Sequence, residues 1–387
     1  MNNFEWNFNT KVIFGEDSEK KIGNECIKYG KKALIVRSNG NHMETSNLIP
    51  NIRESLKDNN IEYIELYGIV QNPTIDKVIE GIKICKAENI DIILAVGGGS
   101  IVDTAKAISA GAKYNGDVWD LFTKNIQITS TIPVGVVVTI AASGSEGSIG
   151  AVITNPKTNS KYDILSPLLR PKFAILNPKI TLSTSNYQTS CGVVDILSHA
   201  MERYFTDTKN VELTDRLGEA LMKTVVNNGL KLVANPKDYD ARSEIMWAST
   251  LAHNGLLDTG RNSCWASHMI AAELSAFYNT THGASLSIII PAWMKYVYKN
   301  DINRFARFAK EVFDVEYNEE DLAITAENGI KEIVEFLKKL GMPTTLKEID
   351  IDNENFDLMA NQATRFGNIG CIKSLDRNDI KNILEMA

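Results

Sequence analysis

Short apolar runs and helical patterns alternate along the first half of the chain. Six runs rich in Val, Ile and Leu predict strands, at residues 32–37, 62–68, the first part of 90–100, 133–140, 150–155 and 173–178. Helical patterns stand between several of them, near 45–58, from 74 to about 89 and over 101–110. Nearly continuous apolar strands that alternate with helices are typical of a parallel sheet covered on both faces. The pattern predicts an α/β domain over residues 1–183.

The pattern changes at about Thr184, after which helical periodicity recurs without a convincing strand. Eight helices are predicted, at residues 185–205, 211–233, 238–259, 261–277, 284–298, 301–313, 322–340 and 353–361, with a short final helix after them. We expect Pro178, Pro236, Pro291 and Pro343 near the ends of elements, because proline interrupts a helix interior. The second half is therefore predicted to be an all-helical domain over residues 184–387.

The composition is that of a globular protein, because 44% of the 387 residues are hydrophobic and 23% are charged. This length suits two domains of ordinary size. The net charge of −7 argues against nucleic acid or an anionic membrane as the main partner. No secretion signal opens the chain and no apolar run is long enough to span a membrane, so we expect a cytoplasmic enzyme. Its cysteines form no CxxC pair and fit reduced thiols: Cys26, Cys85, Cys191, Cys264 and Cys371.

Three glycines and a serine stand at the turn between the third predicted strand and the next helix. The small residues of this turn, Gly97, Gly98, Gly99 and Ser100, allow the backbone to approach a phosphate closely. The free N–H groups at the start of the following helix also favour binding of an anion. Asp103, one turn later, is expected to orient a ribose or the loop itself. The chain has neither GxGxxG nor a P-loop lysine here, so a plain strand-to-helix turn is the alternative. Within an α/β sheet, we predict that the turn binds a nucleotide or dinucleotide.

A second polar segment, residues 138–148, lies between two predicted strands and is rich in small hydroxyl side chains. Thr139, Ser143 and Ser145 are placed to hydrogen-bond a cofactor, whereas Glu146 is equally suited to capping a turn. A polar turn without a ligand is the alternative interpretation.

Asp195 and His199 are four residues apart in a predicted helix, so their side chains share one face. A carboxylate oxygen and an imidazole nitrogen at this spacing can bind one metal ion, although an ordinary amphipathic helix is the alternative. His268 and His282 would stand about 21 Å apart on one straight helix, whereas two ligands of one ion are separated by roughly 4 Å at most. Binding one ion therefore requires the chain to reverse between them, with the turn at residues 279–281.

Together the four residues would supply one carboxylate and three imidazoles. Such a set suits Fe(II), Zn(II) or another divalent first-row ion and leaves a position for a substrate oxygen. The remaining histidines, His42 and His253, have no partner at an informative spacing, and His253 is expected to be a packed or capping residue.

These features together resemble the iron-containing (group III) alcohol dehydrogenases. The resemblance extends over nearly the whole chain, through the segments FNTKVIFGED, NPT, AVGGGSIVDTAK, ASGSE, AVITN, DILSHAMERYF, MWASTLAHNGLL and HMIAAELSAFYNTTHG. It implies a Rossmann-like dinucleotide-binding domain followed by an all-α metal-binding domain, an architecture similar to that of dehydroquinate synthase. Within the family the chain is most similar to the butanol dehydrogenases and related aldehyde reductases.

The resemblance also implies roles for individual residues. It matches Asp195, His199, His268 and His282 to the metal ligands, and Gly97, Gly98, Gly99 and Ser100 to the pyrophosphate loop. It places Thr139 and Ser143 near the dinucleotide, and Lys161 near the nicotinamide ribose. The metal acts as a Lewis acid on the alcohol or carbonyl oxygen while hydride passes to or from the nicotinamide.

Three positions depart from the usual family pattern, and one of them, Gly147 after Glu146, has no assigned consequence. The other two bear on the cofactor and on catalysis. NAD-preferring members carry an aspartate at about Ser38, whereas this chain has no acid there and Arg37 is able to pair with a 2′-phosphate. We therefore expect NADP(H), with NAD(H) and a solvated Arg37 as the alternative. Many members also carry a histidine where this chain has Ala272, and the neighbouring Glu273 points about 100° away on a helix. We expect catalysis to survive with slower aldehyde reduction or an altered pH profile.

The sequence thus predicts an NADP(H)-dependent, metal-dependent dehydrogenase of short- or medium-chain aliphatic alcohols, such as butanol, and of their aldehydes. An NAD-dependent polyol dehydrogenase, a lyase similar to dehydroquinate synthase and a non-catalytic relative are the alternatives. The lyase would need a cluster of basic residues in the helical half, whereas the segments around the predicted ligands are almost uncharged. The expected partners are a small-molecule substrate and a second copy of the chain, with no nucleic acid or membrane.

Overall fold

The computed structural model describes residues 1–40, 42–124 and 126–387, and only the backbone of His42 and Thr45. The chain divides into two compact units. Asn7–Ser183 form the first, here called the sheet unit; Thr184–Ala387 and Met1–Trp6 form the second, the helical unit. The first six residues join the helical unit because the amino terminus donates to the Lys209 carbonyl at 2.9 Å and the Asn2 N–H to that of Gly260 at 2.8 Å. The predicted domain boundaries differ from these units in those six residues.

A six-stranded, all-parallel sheet forms the centre of the sheet unit, in the order β1-β8-β5-β4-β2-β3. Its strands are β1 (Lys11–Phe14), β2 (Lys32–Arg37), β3 (Glu62–Leu66), β4 (Ile92–Gly97), β5 (Val134–Val138) and β8 (Phe173–Leu176). The middle strands are buried along almost their whole length, which explains their continuous apolar runs. The predicted parallel α/β fold is confirmed.

The remaining two strands form a separate antiparallel hairpin, β6 (Gly150–Asn155) with β7 (Ser160–Leu165). The sequence placed 150–155 among the strands of the parallel sheet, which is wrong. Burial alternates along β6, as expected for a ribbon with one covered face, rather than being continuous. Neither β1 nor β7 was predicted, because β1 has four residues and β7 is largely polar.

Helices complete the sheet unit, at α1 (Ile22–Cys26), α2 (His42–Thr45), α3 (Leu48–Asp58), α4 (Ile75–Glu88), α5 (Gly99–Gly111) and α6 (Asp120–Thr123). The chain leaves β2 toward β3 on one side and leaves β4 toward β5 on the other. The carboxyl ends of β2 and β4 therefore lie at the topological switch point, where open α/β sheets bind their ligands. Arg37 pairs with Val96 in this register, which brings the end of β2 beside Gly97.

The helical unit contains α7 (Asn186–Tyr204), α8 (Glu212–Ala234), α9 (Tyr239–His253), α10 (Ala266–Tyr278), α11 (His282–Val297), α12 (Ile302–Phe313), α13 (Leu322–Lys339), α14 (Phe356–Ala363) and α15 (Arg377–Met386). Apart from an isolated bridge between Ile369 and Leu375, the described residues of this unit form no β-structure. The all-helical prediction is confirmed. None of the helices in the described ranges is long and apolar enough to cross a membrane.

The chain reverses between His268 and His282, as the metal hypothesis requires. Helix α10 ends at Tyr278, Asn279 adopts a left-handed conformation with φ of 52°, and α11 begins at His282. Pro291 departs from the prediction because it lies inside α11 rather than near its end. Proline has no N–H, so the Ser287 carbonyl loses its usual donor four residues later.

Candidate active site

The glycine turn approaches the 138–148 segment more closely than larger residues would allow. Gly97 ends β4, Gly98 is the N-cap of α5 and Gly99 is its first residue. A Cβ atom at Gly98 would lie 2.3 Å from Ile140 Cγ2, and one at Gly99 would lie 2.5 Å from Ser143 Oγ. Gly98 supplies no side-chain cap, so the first N–H groups of α5 are suited to an anion.

A completely buried lysine holds the far side of this segment. The Lys106 side chain has no solvent exposure, and its ammonium group donates to five oxygens at 2.7–3.0 Å. The acceptors are the carbonyl and hydroxyl oxygens of Ser145 and Ser148 and the carbonyl of Gly150. Burial lowers the pKa of Lys106 to about 8, although the carboxylates of Asp103 and Glu146 oppose the shift. Lys106 therefore fixes the end of the segment that leads into β6.

Asp103 orients the same segment rather than pointing to solvent. Its Oδ1 accepts from the Ser145 hydroxyl at 2.7 Å, and its Oδ2 from the Val152 N–H at 3.2 Å. Burial raises the pKa of Asp103. Of the two roles expected for this residue, the contacts support orientation of the loop.

The other predicted cofactor residues lie in the sheet unit as follows. The Thr139 N–H donates to the Gly97 carbonyl at 3.2 Å, so Thr139 lies beside the glycine turn. Ser143 Oγ accepts from the Ser145 N–H at 3.2 Å. Lys161 lies on β7, where its ammonium group donates to Asn72 Oδ1 at 3.0 Å. Their contacts with a cofactor stay predictions.

Arg37 is not solvated, because two carboxylates bind its guanidinium group. It is 5% exposed, and it donates from Nε to Glu65 at 2.8 Å and from Nη2 to Glu44 at 2.7 Å. Arg53 binds the same two carboxylates, at 2.6 Å to Glu65 and 2.9 Å to Glu44. Burial raises the pKa of the Glu65 carboxyl, but its ion pairs with Arg53 and Arg37 outweigh this and leave it lowered. Ser38 follows, and its hydroxyl accepts from the Gly40 N–H at 3.4 Å.

In the helical unit, three predicted ligands converge on one point. Donor atoms of Asp195, His268 and His282 lie within 4.8 Å of one another. Asp195 Oδ1 lies 3.9 Å from His268 Nε2 and 3.7 Å from His282 Nε2. Two ligands that are each about 2.1 Å from one ion are separated by at most about 4.2 Å, so these distances suit a shared ion. The α10–α11 hairpin and α7 bring these residues together.

His199 borders this group from α7 without belonging to it. Its Nδ1 lies 3.5 Å from the same Asp195 oxygen, and its ring centroid is 4.7 Å from that of His268. The centroid of the His253 ring lies 4.2 Å from that of His199. Burial, together with His253 and His268, holds the pKa of His199 well below its usual value. A neutral imidazole is the form that binds a metal.

A buried carboxylate on α7 orients His268. Glu202 Oε1 accepts from His268 Nδ1 at 2.9 Å, from the His268 N–H at 2.9 Å and from the Ser267 hydroxyl at 2.6 Å. Burial raises the pKa of Glu202, but the hydrogen bonds from His268 and Ser267 outweigh this effect and leave the pKa lowered. With Nδ1 donating to a carboxylate, the lone pair of Nε2 is directed at the Asp195 side. The donor set and its support therefore fit a divalent metal ion.

Both halves of the chain match the same family of enzymes. Residues 9–178 match the profile of the iron-containing alcohol dehydrogenases, and residues 189–387 match the C-terminal profile of the Fe-containing alcohol dehydrogenase family. The chain belongs to the iron-containing alcohol dehydrogenase family. The family, the fold class and the prediction of an alcohol dehydrogenase of this type are thereby confirmed.

Individual relatives match this dehydrogenase over its full length. The NADH-dependent butanol dehydrogenase A of Clostridium acetobutylicum is 37% identical, covering 100% of this chain and 99% of its own. The probable NADH-dependent butanol dehydrogenase 1 of Bacillus subtilis is 39% identical, with the same coverage. The crystal structure of an NADH-dependent butanol dehydrogenase A from Thermotoga maritima superposes with a TM-score of 0.95 at 37% identity, over 100% of this chain and 99% of that one.

Sequence reasoning missed three residues of the dehydrogenase that the structure brings to these sites. Glu202 follows His199 by three residues, and this helical spacing was an available signal. Lys106 stands among apolar residues in a helix, where a charged residue calls for a partner. His253 was expected to be a packed or capping residue, with a position near the cleft left open, and its ring packs against that of His199 beside the ligand group.

Ala272 occupies the position at which the family resemblance implied a further histidine. Ala272 lies one turn after His268 on α10 and is half-buried. The Glu273 carboxylate next to it is paired with the Arg365 guanidinium at 3.3 Å. This ion pair agrees with the expectation that Glu273 is no simple replacement.

Proposed function

We propose that this dehydrogenase interconverts short- or medium-chain aliphatic alcohols and their aldehydes, such as butanol and butyraldehyde, using NAD(H) and a divalent metal ion. The observation that carries the proposal is the convergence of Asp195, His268 and His282, with Glu202 holding His268. The relatives described above are named butanol dehydrogenases, which supports the same substrate class.

The metal is proposed to be held by Asp195, His199, His268 and His282, with Fe(II) as the first candidate and Zn(II) or another divalent ion as the alternative. Such an ion, when bound, supplies a Lewis acid for the alcohol or carbonyl oxygen. Glu202 accepts a hydrogen bond from His268 Nδ1 and thereby presents Nε2 as a ligand. The closely packed helices around Asp195 and His199, both at least 95% buried, exclude water from this side of the site.

The nicotinamide dinucleotide is proposed to bind the sheet unit at the glycine turn. Gly97, Gly98, Gly99 and Ser100 offer backbone to the pyrophosphate, and Thr139 and Ser143 line the adjacent segment. Lys161 is proposed to lie near the nicotinamide ribose. The cofactor, when bound, supplies or accepts the hydride.

We propose NAD(H) rather than the NADP(H) expected from the sequence. The expectation depended on Arg37 pairing with a 2′-phosphate, but Glu44 and Glu65 already bind its guanidinium group. A 2′-phosphate at this place would have to compete with both carboxylates and would be repelled by them. The three relatives cited above carry NADH dependence in their names, which supports the same preference.

The test compares the two cofactors on protein reconstituted without air with Fe(II) and, in parallel, with Zn(II). We expect butyraldehyde to oxidise NADH with a kcat/KM at least about tenfold above that for NADPH, a difference of about 1.4 kcal/mol. Equal or better use of NADPH would contradict the cofactor assignment. Absence of turnover with any short aldehyde and either cofactor would contradict the substrate class.

Glu44 offers a sharper test of the Arg37 argument. Glu44→Gln removes one of the two charges that occupy Arg37, so we expect the KM for NADPH to fall while the KM for NADH changes little. Glu62→Gln is the matched control, because Glu62 is exposed and begins the same strand that ends near Glu65. An unchanged ratio of the KM for NADPH to the KM for NADH in Glu44→Gln would show that Arg37 does not determine the cofactor preference. The homodimer and the cytoplasmic location expected from the sequence stay predictions.

A further inference from the structure

Two cysteines of the helical unit, Cys264 and Cys371, are in contact, although they are 107 residues apart in the chain. The Cys371 N–H donates to Cys264 Sγ at 3.4 Å, which places the two residues side by side. The Cys371 thiol also approaches the Ser263 carbonyl at 3.2 Å. Cys264 is buried, whereas Cys371 is partly exposed, so a small oxidant can reach one member of the pair.

The two thiols differ in how readily they ionise. The neighbouring Cys371 and burial together raise the pKa of Cys264, whereas the neighbouring Cys264 lowers the pKa of Cys371. Because the thiolate is the reactive form, the accessible member is also the better nucleophile. Burial raises the pKa of Cys26 and of Cys85 to about 12, which makes these thiols internal controls.

We propose that Cys264 and Cys371 are a redox-active pair that closes into an intramolecular disulfide when the protein meets a hydroperoxide. The Cys371 thiolate attacks one peroxide oxygen, the O–O bond breaks, and the products are a sulfenic acid on Cys371 and hydroxide or alkoxide. The Cys264 thiol then attacks the sulfenic sulfur, forming the S–S bond and releasing the sulfenic oxygen as water. The peroxide is reduced by two electrons, and the two thiols are oxidised by two.

The disulfide would act on the segment that leads into α10, the helix that carries His268. The Cys264 N–H donates to the Glu202 carbonyl at 2.7 Å, and Trp265 follows in a left-handed conformation with φ of 60°. The Trp265 ring contacts the ring of His268, with centroids 5.2 Å apart. A disulfide brings the sulfurs to about 2.05 Å, so its formation pulls on the segment that carries Cys264, directly before α10. We infer weaker metal retention in the oxidised form, a consequence that rests on the proposed function.

The first experiment detects the bond itself. The full-length protein, reduced and freed of reductant, is treated with a small molar excess of hydrogen peroxide, alkylated and mapped by mass spectrometry. We expect a peptide linked through Cys264 and Cys371 with the loss of two hydrogen atoms, reversed by dithiothreitol, while Cys26 and Cys85 stay reduced. Cys371→Ser should abolish the link and Cys85→Ser should leave it intact. No linked peptide, or equal oxidation of all cysteines, would overturn the proposal.

The second experiment measures metal retention and uses Zn(II), which peroxide does not oxidise. A chelator should remove zinc from the disulfide form about tenfold faster than from the dithiol form, similar to the loss of a residue that supports a ligand. Dithiothreitol should restore retention, and Cys371→Ser should show no peroxide effect. Equal rates for both forms would overturn the coupling to the metal site. A protein that binds no zinc in either form would count against the proposed metal centre, since the disulfide is measured independently.

Discussion

The glycine turn of the sheet unit and the histidine group of the helical unit are both polar sites within well-packed structure, but they use different parts of the chain. The turn consists of backbone and small residues, and a Cβ atom at Gly98 or Gly99 would already lie within 2.5 Å of a neighbour. The histidine group consists of side chains, with donor atoms of Asp195, His268 and His282 within 4.8 Å of one another.

This difference determines which substitutions damage each site. A site made of backbone is damaged by adding atoms, whereas a site made of side-chain donors is damaged by removing them. One buried charged residue supports each site: Lys106 binds the segment beside the turn, and Glu202 binds His268. Removing either support should weaken its own site and leave the other intact.

The largest effect is expected for Asp195→Ala, because Asp195 Oδ1 is the atom that all three imidazoles approach. Loss of the carboxylate should abolish metal binding and lower kcat/KM by at least about 10³-fold, equivalent to several kcal/mol of transition-state stabilisation. Elemental analysis of the purified protein and butyraldehyde turnover measure the two effects. Glu212→Ala, on the exposed start of α8, is the control. Retention of the metal in Asp195→Ala would show that Asp195 and the histidines around it do not form the metal centre.

A related variant tests the fourth predicted ligand. His199 lies beside the three converging residues, and the metal content of His199→Ala therefore distinguishes a site with four protein ligands from one with three. We expect metal loss comparable to that of His268→Ala. A metal content equal to that of the unchanged protein would reduce the set to three residues.

Glu202→Gln should lower metal affinity by about 10- to 100-fold, the usual cost of losing a carboxylate that supports a ligating histidine. The amide keeps the volume but accepts more weakly from His268 Nδ1 and the Ser267 hydroxyl. Titration with a competing chelator gives the affinity, and the KM for NADH should not change. A shift in the NADH KM with unchanged metal affinity would contradict the assignment of Glu202 to the metal site.

Lys106→Met is the corresponding change in the sheet unit. It leaves the oxygens of Ser145, Ser148 and Gly150 without their donor, which should lower the free energy of unfolding by about 3 kcal/mol. The KM for NADH should rise about tenfold, since a loosened segment must be ordered on binding. Chemical denaturation and cofactor titration measure these effects, and metal content should be unchanged. Metal loss with a normal NADH KM would reverse the assignment.

The same lysine predicts a pH dependence of stability. Its pKa in the folded protein is about 8, whereas a lysine in the unfolded chain titrates at about 10.4. Between these values the unfolded chain binds more protons, so the contribution of Lys106 to the free energy of unfolding rises as pH increases from about 8 toward 10.4. The stability difference between the unchanged protein and Lys106→Met should therefore widen over this window. A constant difference would contradict a titrating Lys106.

Gly99→Ala tests the effect of a single added methyl group. Its Cβ would lie 2.5 Å from Ser143 Oγ, and overpacking of this kind costs about 1–3 kcal/mol, so the NADH KM should rise about tenfold. Gly218→Ala in α8 is the matched control, because its Cβ would meet Tyr204 at an ordinary 3.8 Å. That substitution should stabilise the helix by up to about 1 kcal/mol. Equal behaviour of the two variants would show that space at Gly99 is not limiting.

The elements that the sequence predicted well are those whose signal is local. The strands with continuous apolar runs and the reversal between His268 and His282 follow from periodicity and from the reach of one metal ion. The hairpin was misplaced because an apolar run alone does not show which strand it pairs with, and only alternating burial distinguishes β6. Pro291 lies within α11 because tertiary packing outweighs the lost hydrogen bond.

The features that the sequence did not reveal depend on contacts between distant segments. Glu202 supports His268 across 66 residues, and Lys106 reaches Ser145 across 39. The role of Arg37 changed for the same reason, because Glu65 lies on the neighbouring strand and Glu44 on a separate helix. No pattern within one segment shows which charged group will bind another.

The smallest effect is expected for Ala272→His, which introduces a histidine one turn after His268. Ala272 shares a helix face with His268, and Glu273 remains paired with Arg365, so α10 should accept the change. We expect butyraldehyde reduction to change by less than about tenfold, or 1.4 kcal/mol, with a new ionisation near the ordinary histidine pKa of about 6.5 in the pH–rate profile. Ala272→Gln, which is of similar size but does not titrate, should lack that ionisation. An identical rate and pH profile in all three proteins would show that this position has no part in proton transfer, leaving hydride transfer dependent on the metal and cofactor residues alone.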